Sequence, residues 1–323
     1  MVSKFLHIVA AACVALTAPA WSVAQEFPSR PLKLVMGFGP GGLGDIVGRL
    51  VGMKMTESIG KPIVIDYQPG AGGITAASNM IRAEPDGHTI LWVSAQNSIS
   101  ANLFKSLNYD WDRDFLPVGT IGTFAYVMYV HKDSPLKTVS DVVSQAKANP
   151  DKFNFASIAI GTAQNLSALK FVSDAQLKVP VVPFKTTGEV IIALTAGEVQ
   201  VAFENLPGII TQIKSGNLRA IAVSTERRIA AIPTVPTIAE SGYPSYKTSS
   251  WIGWAVPAKT PREVVLRLNK ELEKAVKSPD VSKRLEELLI QPHVGTPEDL
   301  QKLYHADFQL WKQVISDAKI PQQ

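Results

Sequence analysis

Apolar residues fall into short runs that alternate with longer stretches spaced at three and four residues. The first run, Leu32-Lys33-Leu34-Val35-Met36, shows little alternation, as expected of a strand buried on both faces of a parallel sheet. It ends in the glycine loop Gly37-Phe38-Gly39-Pro40-Gly41-Gly42-Leu43-Gly44. Ile46, Val47, Leu50, Val51 and Met55 then recur with helical spacing. Asp45 is the expected N-cap of that helix and Gly60 its stop. A second strand is expected at 62–66, and a helix at 74–82 after Pro69-Gly70-Ala71-Gly72-Gly73. The turn Pro85-Asp86-Gly87 leads to a third strand at 89–93. Strands alternating with helices predict an α/β fold with right-handed crossovers.

The same alternation resumes after a strand at 125–131. Helices are expected at 139–148, 163–173 and 189–196, with a further one after Gly208. Strands are expected at 153–156, 179–184, 199–203 and 218–223. A proline-rich connection, 233–244, precedes a strand at 251–256, and three helices follow at 262–277, 281–289 and 298–318. The strand at 251–256 reads as a return to the first series. Residues 25–125 plus 251–323 then form a discontinuous first lobe and residues 126–250 the second. A cleft between two such lobes is a usual place for a small ligand.

Composition narrows the function. The chain has 323 residues, 46% hydrophobic and 19% charged, with a net charge of +4 and no lysine or arginine block, which argues against a nucleic-acid surface. Lys4, the apolar run 5–16 and Ser22-Val23-Ala24 read as a signal peptide over residues 1–24, hence export. The single cysteine, Cys13, lies inside it, so disulfides, thiolate metal sites and cysteine nucleophiles are not expected in the mature chain.

A strand, a glycine loop and a helix in succession form a device for holding an anion, because the first N–H groups of a helix lack internal partners. Gly37-Phe38-Gly39-Pro40-Gly41-Gly42 also matches G-x-G-x-x-G, with Asp66 ending the second strand, so an exported dinucleotide-binding oxidoreductase is an alternative. Export, the missing N–H of Pro40 and the charge of Asp45 weigh against it. The sequence contains no G-x-S-x-G elbow and no H-E-x-x-H motif, and Asp110, Asp112 and Asp114 lack the glycine and closing glutamate of a calcium loop, so a solvated turn is expected there. No cofactor and no metal are expected.

Several motifs are shared with a known family: Phe38-x-Pro40-Gly41-Gly42-x-x-Asp45, Pro69-Gly70-Ala71-Gly72-Gly73, Pro85-Asp86-Gly87, Asp114-Phe115-x-Pro117-Val118, Asn205-Leu206-Pro207 and Pro233-Thr234-Val235-Pro236-Thr237. The chain resembles the substrate-binding proteins of tripartite tricarboxylate transporters, the Bug receptors, over nearly all of residues 27–320. The resemblance implies a periplasmic-binding-protein (Venus flytrap) fold whose two α/β lobes close on a small organic acid. It also implies a periplasmic monomer that delivers this acid to the large and small membrane subunits of the transporter. A sensory role before a membrane kinase would use the same closed form. In the first lobe it implies a site at Phe38, Gly39, Gly41, Gly42, Leu43, Gly44 and Asp45, with Ser94, Gln96 and Asn97. In the second lobe it implies Ser157, Ile160, Gly161, Thr162, Asn165, Phe184, Lys185, Glu204 and Asn205.

The departures from the family pattern are specific. Proline is usual at Gly37 and frequent at Gly39, and alanine or a small hydroxyl residue at Gly44. A glycine-rich run and a histidine are usual where this chain has Ile158-Ala159-Ile160-Gly161-Thr162 and Asn165. Glycines that leave room and isoleucines that add apolar surface suggest an acid with an apolar body, such as a phthalate isomer. Packing of the same side chains away from the cleft is the competing reading.

Overall fold

The computed structural model describes residues 27–322, and the expected signal peptide, 1–24, lies outside them. In the first half, β1 (Leu32–Met36) lies between β2 (Ile63–Tyr67) and β3 (Thr89–Ser94), all parallel. α1 (Leu43–Ile59) connects β1 to β2, and α2 (Ile74–Met80) leads to β3. Leu34 and Met36 bury one face of β1 against Val47, Val51 and Met55, the apolar stripe of α1. Gly60, in the left-handed region at φ 71°, ends that helix.

Two expectations change here. Gly42, with extended backbone, is the N-cap of α1, and Asp45 is the third helical residue. The stretch after β3, read above only as a place for ligand contacts, is a helix, α3 (Ala95–Leu103). Its apolar stripe is thin, one residue per turn at Ala95, Ile99 and Leu103. It starts because Ser94 and Asn97 form a capping box.

A four-residue helical turn, α4 (Trp111–Asp114), capped by the Asp110 carboxylate, replaces the expected solvated turn. It opens into β4 (Phe115–His131), which is longer than the expected strand and serves both halves. Its first part pairs antiparallel with β9 (Ser249–Pro257), from Phe115 opposite Pro257 to Ala125 opposite Ser249. Its last part pairs antiparallel with β7 (Val201–Asn205) and β8 (Leu218–Val223). β9 is also antiparallel to β3, so the sheet is mixed rather than parallel throughout.

The second half is built from α5 (Val139–Ala148), β5 (Phe155–Ile158), α6 (Ala163–Asp174), β6 (Val181–Phe184), α7 (Thr187–Ala196), β7, α8 (Leu206–Lys214) and β8. β5 runs parallel to β6 and β7. Phe155, Phe171 and Phe203 centre its core. After β9 come α9 (Arg262–Val276), α10 (Pro279–Glu287), the short β10 (Gln291–Pro292) and α11 (Pro297–Asp317).

α11 joins the halves. Its Trp311, Val314 and Ile315 pack with Ile99 and Leu103 of α3, Tyr126 of β4, and Ala163 and Leu166 of α6. Asp307 of α11 is buried and accepts hydrogen bonds from Ser98 Oγ at 3.1 Å and Trp251 Nε1 at 3.0 Å. One carboxylate thus ties α11 to α3 and to β9. Among the described residues no helix is long and apolar enough to cross a membrane.

Candidate functional site

The β1–α1 loop is fixed from behind. Asp45 turns away from the cleft toward β2, where its carboxylate accepts the Gly41 N–H at 2.9 Å, Arg49 Nε at 2.9 Å and the Tyr67 hydroxyl. The Tyr67 bond, helped by Gly41 and Arg49 and opposed by burial, holds the Asp45 carboxyl below its ordinary value. The Gly41 amide is therefore committed to Asp45. Removing these charged bonds in Asp45→Ala is expected to lower the unfolding free energy by about 1.5–3 kcal/mol, read from urea denaturation. Gly37 lies against the neighbouring loop, where a Cβ would stand 2.5 Å from the Cα of Gly73.

Two helix N-termini at the cleft supply their own caps. In α3, Ser94 N–H donates to Asn97 Oδ1 at 2.9 Å, and Gln96 N–H donates to Ser94 Oγ. In α6, Thr162 Oγ1 accepts the Asn165 N–H at 3.2 Å and donates to the Ala159 carbonyl at 2.9 Å. Asn165 Oδ1 accepts the Gly161 N–H at 3.3 Å, and its Nδ2 donates to Ser157 Oγ at 3.0 Å. Ser157 and Asn165 are both buried and hold this loop from inside.

Two other N-termini are not capped. α1 starts at a glycine, and the N–H groups of Leu43 and Gly44 have no partner among the described residues. α8 starts after Asn205 with no side-chain cap, leaving the N–H groups of Leu206 and Gly208 free in the same way. Buried Glu204 braces this corner. Its carboxylate accepts Gln164 Nε2 at 2.9 Å, Thr187 Oγ1 at 2.7 Å and the Asn205 N–H at 2.7 Å.

The loops enclose two chambers that share Phe38, Trp92, Ser94 and Gln96. The first, about 400 Å³, is lined also by Asn97, Ile160, Gly161 and Thr162, with Leu103 and Phe104. The second, about 470 Å³, is lined also by Gly39, Gly42, Leu43, Gly44 and Asn205, with Phe124, Tyr126, Gln164, Ser250 and Ile252. No acidic, basic or histidine side chain among the described residues lines either chamber. Gln96 Nε2 reaches across the gap to the Gly161 carbonyl at 3.3 Å.

Of the residues expected from sequence, Gly41, Asp45, Ser157, Asn165, Phe184, Lys185 and Glu204 line neither chamber. Four of them are loop braces, as described. Phe184 packs into the apolar cluster around Val190, and the Lys185 N–H is held by the Glu189 carboxylate at 2.9 Å while its side chain lies in solvent. The two isoleucines part company. Ile160 is 56% exposed in the first chamber, whereas Ile158 packs inward. Among the residues not anticipated are Phe124, Tyr126, Ser250 and Ile252. They alternate along β4 and β9, so one face of the crossing strands floors the second chamber, while Thr123 and Ser249 face a polar cavity of about 500 Å³ behind it. The period-two pattern was the available signal. The Tyr126 hydroxyl is buried on this floor beside Ser250, and burial raises its pKa far above the usual value, so it keeps its proton.

Two α/β halves linked by crossing strands, with a neutral cleft between their loops, define a periplasmic-binding-protein fold. The chain belongs to the tripartite tricarboxylate transporter family receptors, whose pattern it matches over residues 47–320. It is 34% identical over 297 residues, 92% of this chain and 88% of the relative, to the "UPF0065 protein in tcbD-tcbE intergenic region" of Pseudomonas sp. strain P51. Among solved structures it is similar to Rpa4515 of R. palustris with adipate, at 30% identity and a TM-score of 0.81, covering 92% of this chain and 99% of that one. It is similar also to MatC (Rpa3494) from Rhodopseudomonas palustris with bound malate, at 29% identity and a TM-score of 0.77, covering 90% and 100%. The family is one of receptors, not of enzymes.

Proposed function

We propose that this protein captures a small organic carboxylate in the periplasm and hands it to the membrane subunits of a tripartite tricarboxylate transporter, with no chemical turnover. The moving bodies would be residues 25–125 plus 251–323 and residues 126–250. The observation that carries the reading is a chamber without charged side chains, bordered by the uncapped N-terminus of α1 at Leu43 and Gly44 and by Asn205, the residue before uncapped α8 in the other half. Free N–H groups and the positive ends of helix dipoles favour an anion there. Each bond from such a donor to a carboxylate is worth about 1.5–3 kcal/mol, so two or three suffice without an arginine.

The walls support an acid with an apolar body. Phe38, Trp92, Phe124 and Ile160 offer aromatic and aliphatic surface. A benzene dicarboxylate fits this description better than a short hydroxy acid. Adipate and malate, seen with the two similar proteins, bracket the chain lengths to be tried. Isothermal titration against the three phthalate isomers, adipate, succinate, malate and NAD is the test. Saturable binding of an aromatic diacid in preference to succinate is expected. Preference for succinate or malate would remove the aromatic assignment, and binding of NAD with none of the acids would remove the receptor reading.

A further inference from the structure

We infer that Gly44 is a specificity-determining residue, because the absence of its side chain leaves the notch in which the Phe38 ring sits between the two chambers. This rests on the carboxylate-receptor reading. A Cβ built on Gly44 would lie 2.3 Å from Phe38 Cζ and 2.6 Å from Cε2, well inside any real contact. The ring also meets Trp92 edge-on, with centroids 5.8 Å apart and an interplanar angle of 84°. Phe38 is half-buried and borders both chambers, as does Trp92. The ring is thus a partition parked on a backbone surface, and position 44 sets where it parks.

A methyl group at 44 displaces the ring from this rest, and because the ring borders both chambers and already packs on Trp92, its new position takes ligand space. Gly44 is a first-turn helical residue with φ outside the left-handed region, so the backbone accepts alanine without strain. The substitution therefore moves an aromatic ring into the ligand space and changes no charge. Acids with a wide, ring-sized body lose their fit, while short diacids keep the same N–H donors.

The test measures dissociation constants for the phthalate isomers, adipate and succinate with the wild-type chain, Gly44→Ala, Phe38→Ala and the double variant. In Gly44→Ala the aromatic acids are expected to weaken by roughly tenfold or more relative to succinate. In the Phe38→Ala background the same substitution should leave the aromatic-to-succinate ratio unchanged, since no ring remains to be pushed. A uniform change across all acids, or an equal effect with and without Phe38, overturns the inference while leaving the receptor reading intact. A crystal structure of ligand-free Gly44→Ala reads the ring position independently of any acid. A ring still resting on position 44 there overturns the inference, whereas failure of every acid to bind the wild-type chain counts against the receptor reading instead.

Discussion

Gly161→Ala is expected to raise the dissociation constant of the bound acid by roughly ten- to a hundredfold, and to do so by crowding the contact between the two halves beside the first chamber. Two separate effects act at this position. Gly161 has φ +79°, a conformation that costs an alanine about 1–2 kcal/mol whether the cleft is open or shut. That term lowers stability and is visible in a thermal melt without ligand. The second effect is a contact between the two halves. A Cβ at 161 would stand 2.3 Å from Leu103 Cδ2 of the facing half, beside the Gln96 bond to the Gly161 carbonyl. Overpacking of this kind typically costs 1–3 kcal/mol, and about 1.4 kcal/mol is a factor of ten in affinity. Leu103→Ala in the Gly161→Ala background should restore much of the affinity while leaving the stability loss. An affinity within threefold of wild type would mean that the contact seen between the halves takes no part in binding.

The second large effect concerns pH. Burial, opposed by the bonds from Trp251 and Ser98, pushes the Asp307 carboxyl up from 3.8 to about 6. No charged group is among the causes. In the cavity behind it, Arg228 is paired with Glu240 and Lys247 with Glu226, and Arg227 completes the charged lining. In the folded state Asp307 thus holds its proton over a range in which the unfolded chain has lost it. Its contribution to stability is complete below about pH 4 and is lost as pH rises through about 6. The size is on the order of 3 kcal/mol. Asp307→Asn keeps an acceptor for Trp251 and Ser98 but cannot ionise. Its unfolding free energy relative to wild type should therefore grow by about that amount between pH 4 and pH 7, measured by urea titration at each pH. A difference that stays constant across the range would show that Asp307 titrates normally.

The outline of the fold is legible where an apolar run stops at a turn residue. β1 and its loop, β3, and the long C-terminal helices have such boundaries, and they lie close to where the spacing puts them. α3 is hard to read because its apolar stripe is one residue per turn, Ala95, Ile99 and Leu103, while its capping box and its buried polar bonds to α11 leave no apolar pattern. Asp45 shows the limit at a helix start. An aspartate there reads as a cap, yet as third residue it reaches back to Gly41, and only coordinates separate the two.

The same ambiguity governs the site. The loops were legible, since glycines and small polar residues follow the strands of both halves. Which polar side chains face the cleft was not. Asn165, Ser157 and Glu204 have the chemistry of ligand contacts, and in the structure that chemistry ties loops together. Phe124, Tyr126, Ser250 and Ile252 meet only because two strands far apart in sequence pair across the middle of the molecule, and local spacing carries no information about that pairing.

The position of α11 has a consequence for how the chain is made. Trp311, Val314 and Ile315 complete an apolar seam whose other walls, Ile99, Leu103, Ala163 and Leu166, are synthesised long before them. Until this last helix arrives, both partners of the seam stand open to water and to one another's copies. A polypeptide delivered start-first across a membrane would therefore close this seam only late, and the interval before it is when companions that shield sticky surfaces would matter most.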